Sequence, residues 1–346
     1  MKLSKLLLIA LSVSLFVSCS SDDDNDQKGQ YENGFFILNE GSAGQGTVSF
    51  SSDDFSAFTK DAYTAANGTD LLGKYAQNIF FDGDRAYIIA GGSNVINVVN
   101  RYTFKLIAKI DSGLANPRYG VVKDGKAYVT NANTYFSANN PNGNTDDYVA
   151  VINLATNTYE SKINLNATGN RLVEENGKLY ITEPYNSDKL LVVNIATKAL
   201  ETPVVIGSSA DTIEEENGTL YILRGPYGDR SEIVKVKLSD KSVSKITFPE
   251  SLDGAAFLDV YENKVYYTVG NSVYAIGTSA TEASTTAIVT ASLGYLYGFA
   301  VNNNRIYLAD SGDFKADSKA YIYSLTGSLQ KELTVGVGPN GFYFND

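Results

Sequence analysis

The 346-residue chain contains no histidine and no tryptophan, and a single cysteine, Cys19. Without histidine, Ser-His-Asp and Cys-His catalysis and imidazole-ligated metal centres are all excluded. With one cysteine there is no intramolecular disulfide, so the fold must be held by its core. No G-x-S-x-G and no P-loop occurs. Only one apolar run approaches membrane-spanning length, and at Leu6 to Phe16, interrupted by Ser12 and Ser14, it falls short of the 18 or more residues a spanning helix needs.

That run has a different meaning. Lys2 and Lys5 precede it, and Phe16-Val17-Ser18-Cys19 follows: a bulky apolar residue, two smaller ones, then the cysteine. This is the pattern of a bacterial lipoprotein signal, so residues 1–18 are expected to be cleaved and Cys19 to be lipidated. Several acyl chains, at about 0.8 kcal/mol per buried CH₂, would anchor the protein stably to a membrane. Residues 19–33 read as a flexible acidic tether, too poor in apolar side chains to fold. The run Asp22 to Asp26 resembles the signal that directs lipoproteins of the Bacteroidota to the cell surface, and implies an outer-membrane, surface-exposed location. Removing the three lysines and five acids of residues 1–33 leaves 25 bases and 34 acids on residues 34–346, a net charge of −9. A negative body with no basic stripe makes nucleic acid an unsuitable partner.

The body repeats one phrase: an apolar strand, a turn of Asp, Asn, Glu and Gly, then a tyrosine that opens a second strand. It reads D-G-D-R-A-Y-I at Tyr87, K-D-G-K-A-Y-V at Tyr128, E-N-G-K-L-Y-I at Tyr180, E-N-G-T-L-Y-I at Tyr221, Y-E-N-K-V-Y-Y at Tyr266 and N-N-N-R-I-Y-L at Tyr307. The spacings are 41, 52, 41, 45 and 41 residues. A period of about 40–45 residues with four short strands per unit is that of a β-propeller blade. Six complete units leave a partial unit at each end. Gly34-Phe-Phe-Ile-Leu-Asn lacks an inner strand, and Pro339-Asn-Gly-Phe-Tyr-Phe-Asn-Asp is a strand without a unit. The expected fold is therefore all-β: a seven-bladed propeller of four-stranded blades, closed by pairing the C-terminal strand with the N-terminal blade.

The 52-residue spacing marks an insertion between the second and third strands of the third blade. Within it, Asn140-x-Asn142-x-Asn144-x-Asp146 has alternating oxygen ligands, but Thr145 and Val151 occupy the places of the glycine and glutamate of a calcium loop, so an Asn/Gly-rich turn is the better reading and no metal site is assigned. The Glu214-Glu-Glu run reads as a solvated turn of the fifth blade rather than an acid/base pair. The loops that ring one mouth of the channel are richer in candidates: Tyr135, Tyr185, Arg224 and Tyr227 after second strands, and Arg118 and Tyr119 leading into an inner strand. Tyrosines give rigid contact area and arginine a planar donor fork, which favours binding over catalysis.

The repeat layout, the opening Phe36-Ile-Leu-Asn39-Glu40-Gly41 and the Asn116-Pro-Arg118-Tyr119 segment resemble the YncE-like seven-bladed propeller lipoproteins of the Bacteroidota. Within that group the chain is similar to the surface propellers that bind cobalamin on a TonB-dependent vitamin B12 receptor. The resemblance implies a non-catalytic protein that captures a small ligand, a cobamide, for such a receptor. It implies Asn39, Glu40, Arg118 and Tyr119 as matching positions. A glycan-binding lipoprotein of a polysaccharide uptake system and a lactonase-type propeller enzyme are the alternatives, the first weakened by the lack of tryptophan.

Overall fold

A computed structural model describes residues 28–345 apart from Ala43, 135–144 and Asn186; Cys19, the tether before Lys28 and Tyr135 lie outside the described residues. Seven antiparallel sheets, each containing four strands in radial order, form a ring. Blade 2 runs Ala76–Asp82, Arg85–Ala90, Val95–Asn100 and Leu106–Ile110 from the channel outward. Blade 3 begins at Pro117–Lys123, blade 4 at Leu172–Glu175, blade 5 at Ala210–Glu216, blade 6 at Ala255–Tyr261 and blade 7 at Leu296–Asn302. The outer edge of blade 4 is divided between Ala199–Leu200 and Val204–Val205, which both pair with Lys189–Asn194.

Local chemistry explains the repeated phrase. Asn176-Gly177 and Asn217-Gly218 have consecutive positive φ values of 54° and 74°, and 53° and 76°. A two-residue turn of that form matches the twist of a β-hairpin, and Asn-Gly adopts it with little strain. The tyrosine that follows is buried in each of the six repeats. Second and third strands such as Arg85–Ala90 and Tyr148–Asn153 are apolar on both faces because a neighbouring blade covers each face. Outer strands such as Thr158–Asn164 alternate exposed and covered positions.

Blade 1 is assembled from both ends of the chain. Its inner strand is Pro339–Phe344, which pairs antiparallel with Gly34–Asn39 (Phe344 opposite Phe35, Phe342 opposite Ile37); Thr47–Ser52 and Phe58–Thr59 complete it. Beyond the last strand, the Asn345 side chain donates to the carbonyls of Tyr31 and Arg101 and accepts from the Arg101 guanidinium. Aromatic seams hold blade 1 on both sides. Against blade 7, Tyr307 packs on Phe35 at 5.1 Å and on Phe342 at 5.4 Å; against blade 2, Phe36 packs on Phe104 at 4.7 Å.

Deleting Phe342 to Asp346 would remove half of the inner strand of blade 1 and the side chains of Phe342, Tyr343 and Phe344. Each is worth about 1.5–3 kcal/mol when buried, against a total stability of about 5–15 kcal/mol. The truncated protein is expected to melt at least about 5 °C below the full-length protein in a thermal denaturation scan. An unchanged melting temperature would contradict this closure.

Candidate functional site: a tyrosine-lined mouth above an acidic channel

The loop after the second strand and the loop before the inner strand lie on the same face of the ring, tied in blade after blade by one backbone hydrogen bond. Gly91 donates to Tyr75, Ala132 to Asn116, Gly225 to Ser209 and Ser311 to Tyr295, at 2.9–3.3 Å. These loops form the mouth of the central channel.

Three of the expected ligand residues meet there. Between blades 3 and 4 a cavity of about 270 Å³ is lined by Arg118, Ala132, Asp147, Asn170, Glu183 and Tyr185, among others. Between blades 4 and 5 a shallower one of about 320 Å³ is lined by Asp211, Ala256 and Tyr227. Pro184 borders both cavities. Tyr185 is 72% exposed and Tyr227 fully exposed, so the two rings flank this double depression with their faces open to solvent. The floor is polar and organised. Arg118 Nε donates to Asn170 Oδ1 at 3.2 Å, and Asn170 Nδ2 donates to Asp211 Oδ1 at 2.7 Å. Asp147 is buried and accepts from the Gly169 and Asn133 backbone N–H groups; burial pushes its carboxyl up to about 6, against those hydrogen bonds. Glu183, also buried, accepts from the Tyr185 backbone N–H and so fixes the start of the tyrosine loop.

The other expected residues are placed differently. Asn39 is completely buried, its amide donating to Thr47 and Ser49 on the adjacent strand, and it presents no surface to the mouth. Arg224 is enclosed at the end of the second strand of blade 5, paired with Glu232 and donating to the Ser208 carbonyl at 2.7 Å. Gly207, with φ of 100°, lies against that guanidinium where any Cβ would collide with it. Tyr119 lies below the mouth, lining the channel, its ring covered by the Arg171 guanidinium at 4.5 Å and its hydroxyl accepting from Gln77. Glu40 sits between blades 1 and 7, where it accepts a hydrogen bond from the Tyr297 hydroxyl. Tyr135 falls outside the described residues, as does most of the Asn140–Asp146 stretch.

The channel itself corrects one expectation. Glu214 belongs to the inner strand Ala210–Glu216 rather than to a solvated turn, and it lines a cavity of about 380 Å³ to which six inner strands contribute, together with Arg171 just before the inner strand of blade 4. Asp259, on the inner strand of blade 6, lines the same cavity. Both carboxyls are raised well above the ordinary carboxylate range. Desolvation is the main cause for each; the charge of Asp259 pushes Glu214 further up, and Arg171 acts against it. The two sit at equivalent positions. Each inner strand places one residue opposite the repeat tyrosine, and in blades 2 to 7 these are Phe80, Val121, Val173, Glu214, Asp259 and Ala300. Aligning the repeats on their tyrosines would have exposed this pair of acids in an otherwise apolar column.

The sequence profile of the family described as "Domain of unknown function (DUF5074)" matches residues 33–304. The chain belongs to this family. Among solved structures, this DUF5074 protein is similar to a quinonprotein alcohol dehydrogenase-like protein from Bacteroides thetaiotaomicron, with 17% identity, a TM-score of 0.71, and coverage of 91% of this chain and 79% of the other. It is similar to a putative 6-phosphogluconolactonase from Bacteroides fragilis, with 12% identity, a TM-score of 0.64 and coverage of 94% and 100%. It also resembles a streptogramin B lyase, with 11% identity, a TM-score of 0.60 and coverage of 77% and 86%. At these identities the likeness is one of fold. A search of curated proteins finds no sequence relative.

A carboxyl raised in the folded state stabilises the fold most below its unfolded pKa, and that contribution is lost as pH rises towards the folded value. Glu214→Gln removes the loss. In metal-free buffer the variant is expected to gain on the wild type as pH is raised from about 5 to about 8, by at least about 1 kcal/mol, roughly one pKa unit. Parallel stability curves in chemical denaturation at the two pH values would show that Glu214 ionises normally.

Proposed function

We propose that this DUF5074 protein is a non-catalytic, lipid-anchored capture protein of the outer-membrane surface, which holds a cobamide across its mouth and passes it to a TonB-dependent receptor. The observation that carries the reading is the pair of open tyrosine rings, Tyr185 and Tyr227, flanking adjoining depressions whose floor is an ordered Arg118–Asn170–Asp211 array. A corrin has apolar faces suited to tyrosine, a rim of amides suited to Asn and Arg, and a phosphate suited to Arg118. The breadth of the two depressions suits a ligand that lies across blades rather than one that enters a single deep pocket. With no histidine in the chain, the protein has no imidazole to replace an axial ligand of cobalt. Cys19 and the acidic run after it support the surface anchor.

Calorimetry of the purified protein with cyanocobalamin tests the ligand. Each aromatic contact contributes about 0.5–1.5 kcal/mol beyond area burial, and each charge-assisted hydrogen bond about 1.5–3 kcal/mol. Arg118→Ala combined with Tyr185→Ala is therefore expected to weaken binding at least tenfold, which needs about 1.4 kcal/mol. In cells producing the full-length protein, Cys19→Ser should move the protein from the membrane fraction to the soluble fraction, or leave its precursor uncut. Absence of heat and of any spectral shift with cyanocobalamin would overturn the cobamide reading, and heat with oligosaccharides instead would establish the glycan alternative.

A further inference from the structure

The carboxyl pair in the channel has no part in capture at the mouth, yet the geometry around it is that of a site. Asp259 is held on both oxygens: Oδ2 accepts from the Val301 backbone N–H at 2.6 Å and Oδ1 from Val260 at 2.7 Å. Each oxygen keeps a further lone pair. On the neighbouring blade, Thr212 lies two residues before Glu214 on the same strand and lines the same cavity. Thr212 is only 5% exposed, and its Oγ1 has no hydrogen-bond partner. Asn340, from the inner strand of blade 1, lines the cavity as well. Its Nδ2 donates to the Ala76 carbonyl at 2.8 Å, while its buried Oδ1 has no partner. A buried hydroxyl left unsatisfied costs about 1–3 kcal/mol, so the Thr212 oxygen beside the carboxyl pair is open to a ligand, while the Arg171 Nε, which also lacks a hydrogen bond, faces Asp211 at 3.4 Å.

The charges point the same way. The titratable and charged groups around the pair are Arg171 and Tyr119 on one side, Tyr261 on the strand of Asp259, Tyr343 on blade 1, and Asp211 beyond Arg171. Arg171 is itself paired with Asp211 at 3.4 Å and stacked on Tyr119. One guanidinium is therefore shared between Asp211 and Glu214, and among the described residues no basic side chain acts on Asp259. Every donor that lines it near the pair is oxygen, carboxylate, hydroxyl or amide, and the chain has no histidine to supply nitrogen. Oxygen-only sites select hard cations.

We propose that the channel binds a hard divalent cation of the calcium class at Glu214 and Asp259, with Thr212 as a neutral oxygen donor, at a site separate from the mouth. Ligation needs both groups as carboxylates, so protons and the cation compete for them. The cation would bind between the inner strands of blades 5 and 6 and act as a brace for the ring.

Terbium luminescence tests this, because Tyr119, Tyr261 and Tyr343 line the same cavity and can sensitise the ion. In chelator-stripped protein, excitation of tyrosine should give terbium emission that saturates at one equivalent and is displaced by Ca²⁺ with a Kd of about 1 mM or tighter. Glu214→Gln and Asp259→Asn should each weaken displacement at least tenfold. Both should fold in chelator as well as the wild type, and both should leave the heat of cyanocobalamin binding unchanged. The Ca²⁺ affinity of the wild type should fall as pH is lowered from about 8 to about 5. Equal emission from wild type and both variants, or a melting temperature indifferent to Ca²⁺, would overturn the proposal whatever the result at the mouth.

Discussion

The antiparallel pairing of Pro339–Phe344 with Gly34–Asn39 is the contact on which the other blades depend. A propeller blade buries both faces against its neighbours, so a ring of six complete blades and two loose ends would leave two apolar faces and two sheet edges open. Open edges invite pairing with other chains. Joining the ends in blade 1 removes both liabilities at once, and the aromatic seams around Tyr307 and Phe104 give the join a core of its own. The pairing is also the longest-range strand pairing among the described residues, so it is expected to form late, after the local hairpins.

Closure also sets the geometry of the channel. In blades 2 to 7 the inner strand is positioned by the hairpin turn that follows it, and in blades 3 to 7 that turn is a pair such as Asn-Gly in the left-handed region. The column of residues opposite the repeat tyrosines is therefore held at one height in these blades. In most blades that column is apolar and packs. In blades 5 and 6 it carries Glu214 and Asp259, which the ring brings together in a desolvated space. Mouth and channel are thus two environments produced by one repeat: loops of variable sequence above, and strands of fixed register below.

The blade count, the hairpin turns and the composite first blade were all legible in the sequence, because each rests on local chemistry repeated six times. The site was legible in part. Tyr185 and Tyr227 could be placed at the mouth because loop position follows from strand order. The conclusion failed for Asn39, whose amide nitrogen donates within its own sheet, and for Arg224, which pairs with Glu232 on the adjacent strand, and local sequence carries no record of such partners. Glu214 was misplaced for a different reason. Three consecutive glutamates suggest a solvated turn, yet the strand continues through them, and only the Glu215 side chain caps the turn, accepting from Gly218. The pairing of Glu214 with Asp259 depends on two strands 45 residues apart being neighbours, a relation that emerges only when the repeats are superposed.

Native-state hydrogen exchange of the backbone amides in Gly34–Asn39 and Pro339–Phe344 tests the central role of ring closure most directly. Elements held by global cooperativity exchange only through complete unfolding, whereas frayed termini exchange with little cost. The account predicts that these two terminal strands share the protection of the second strands of blades 2 to 7. Exchange of Pro339–Phe344 well ahead of those strands would mean that the ring stands without its final strand, and would contradict the account.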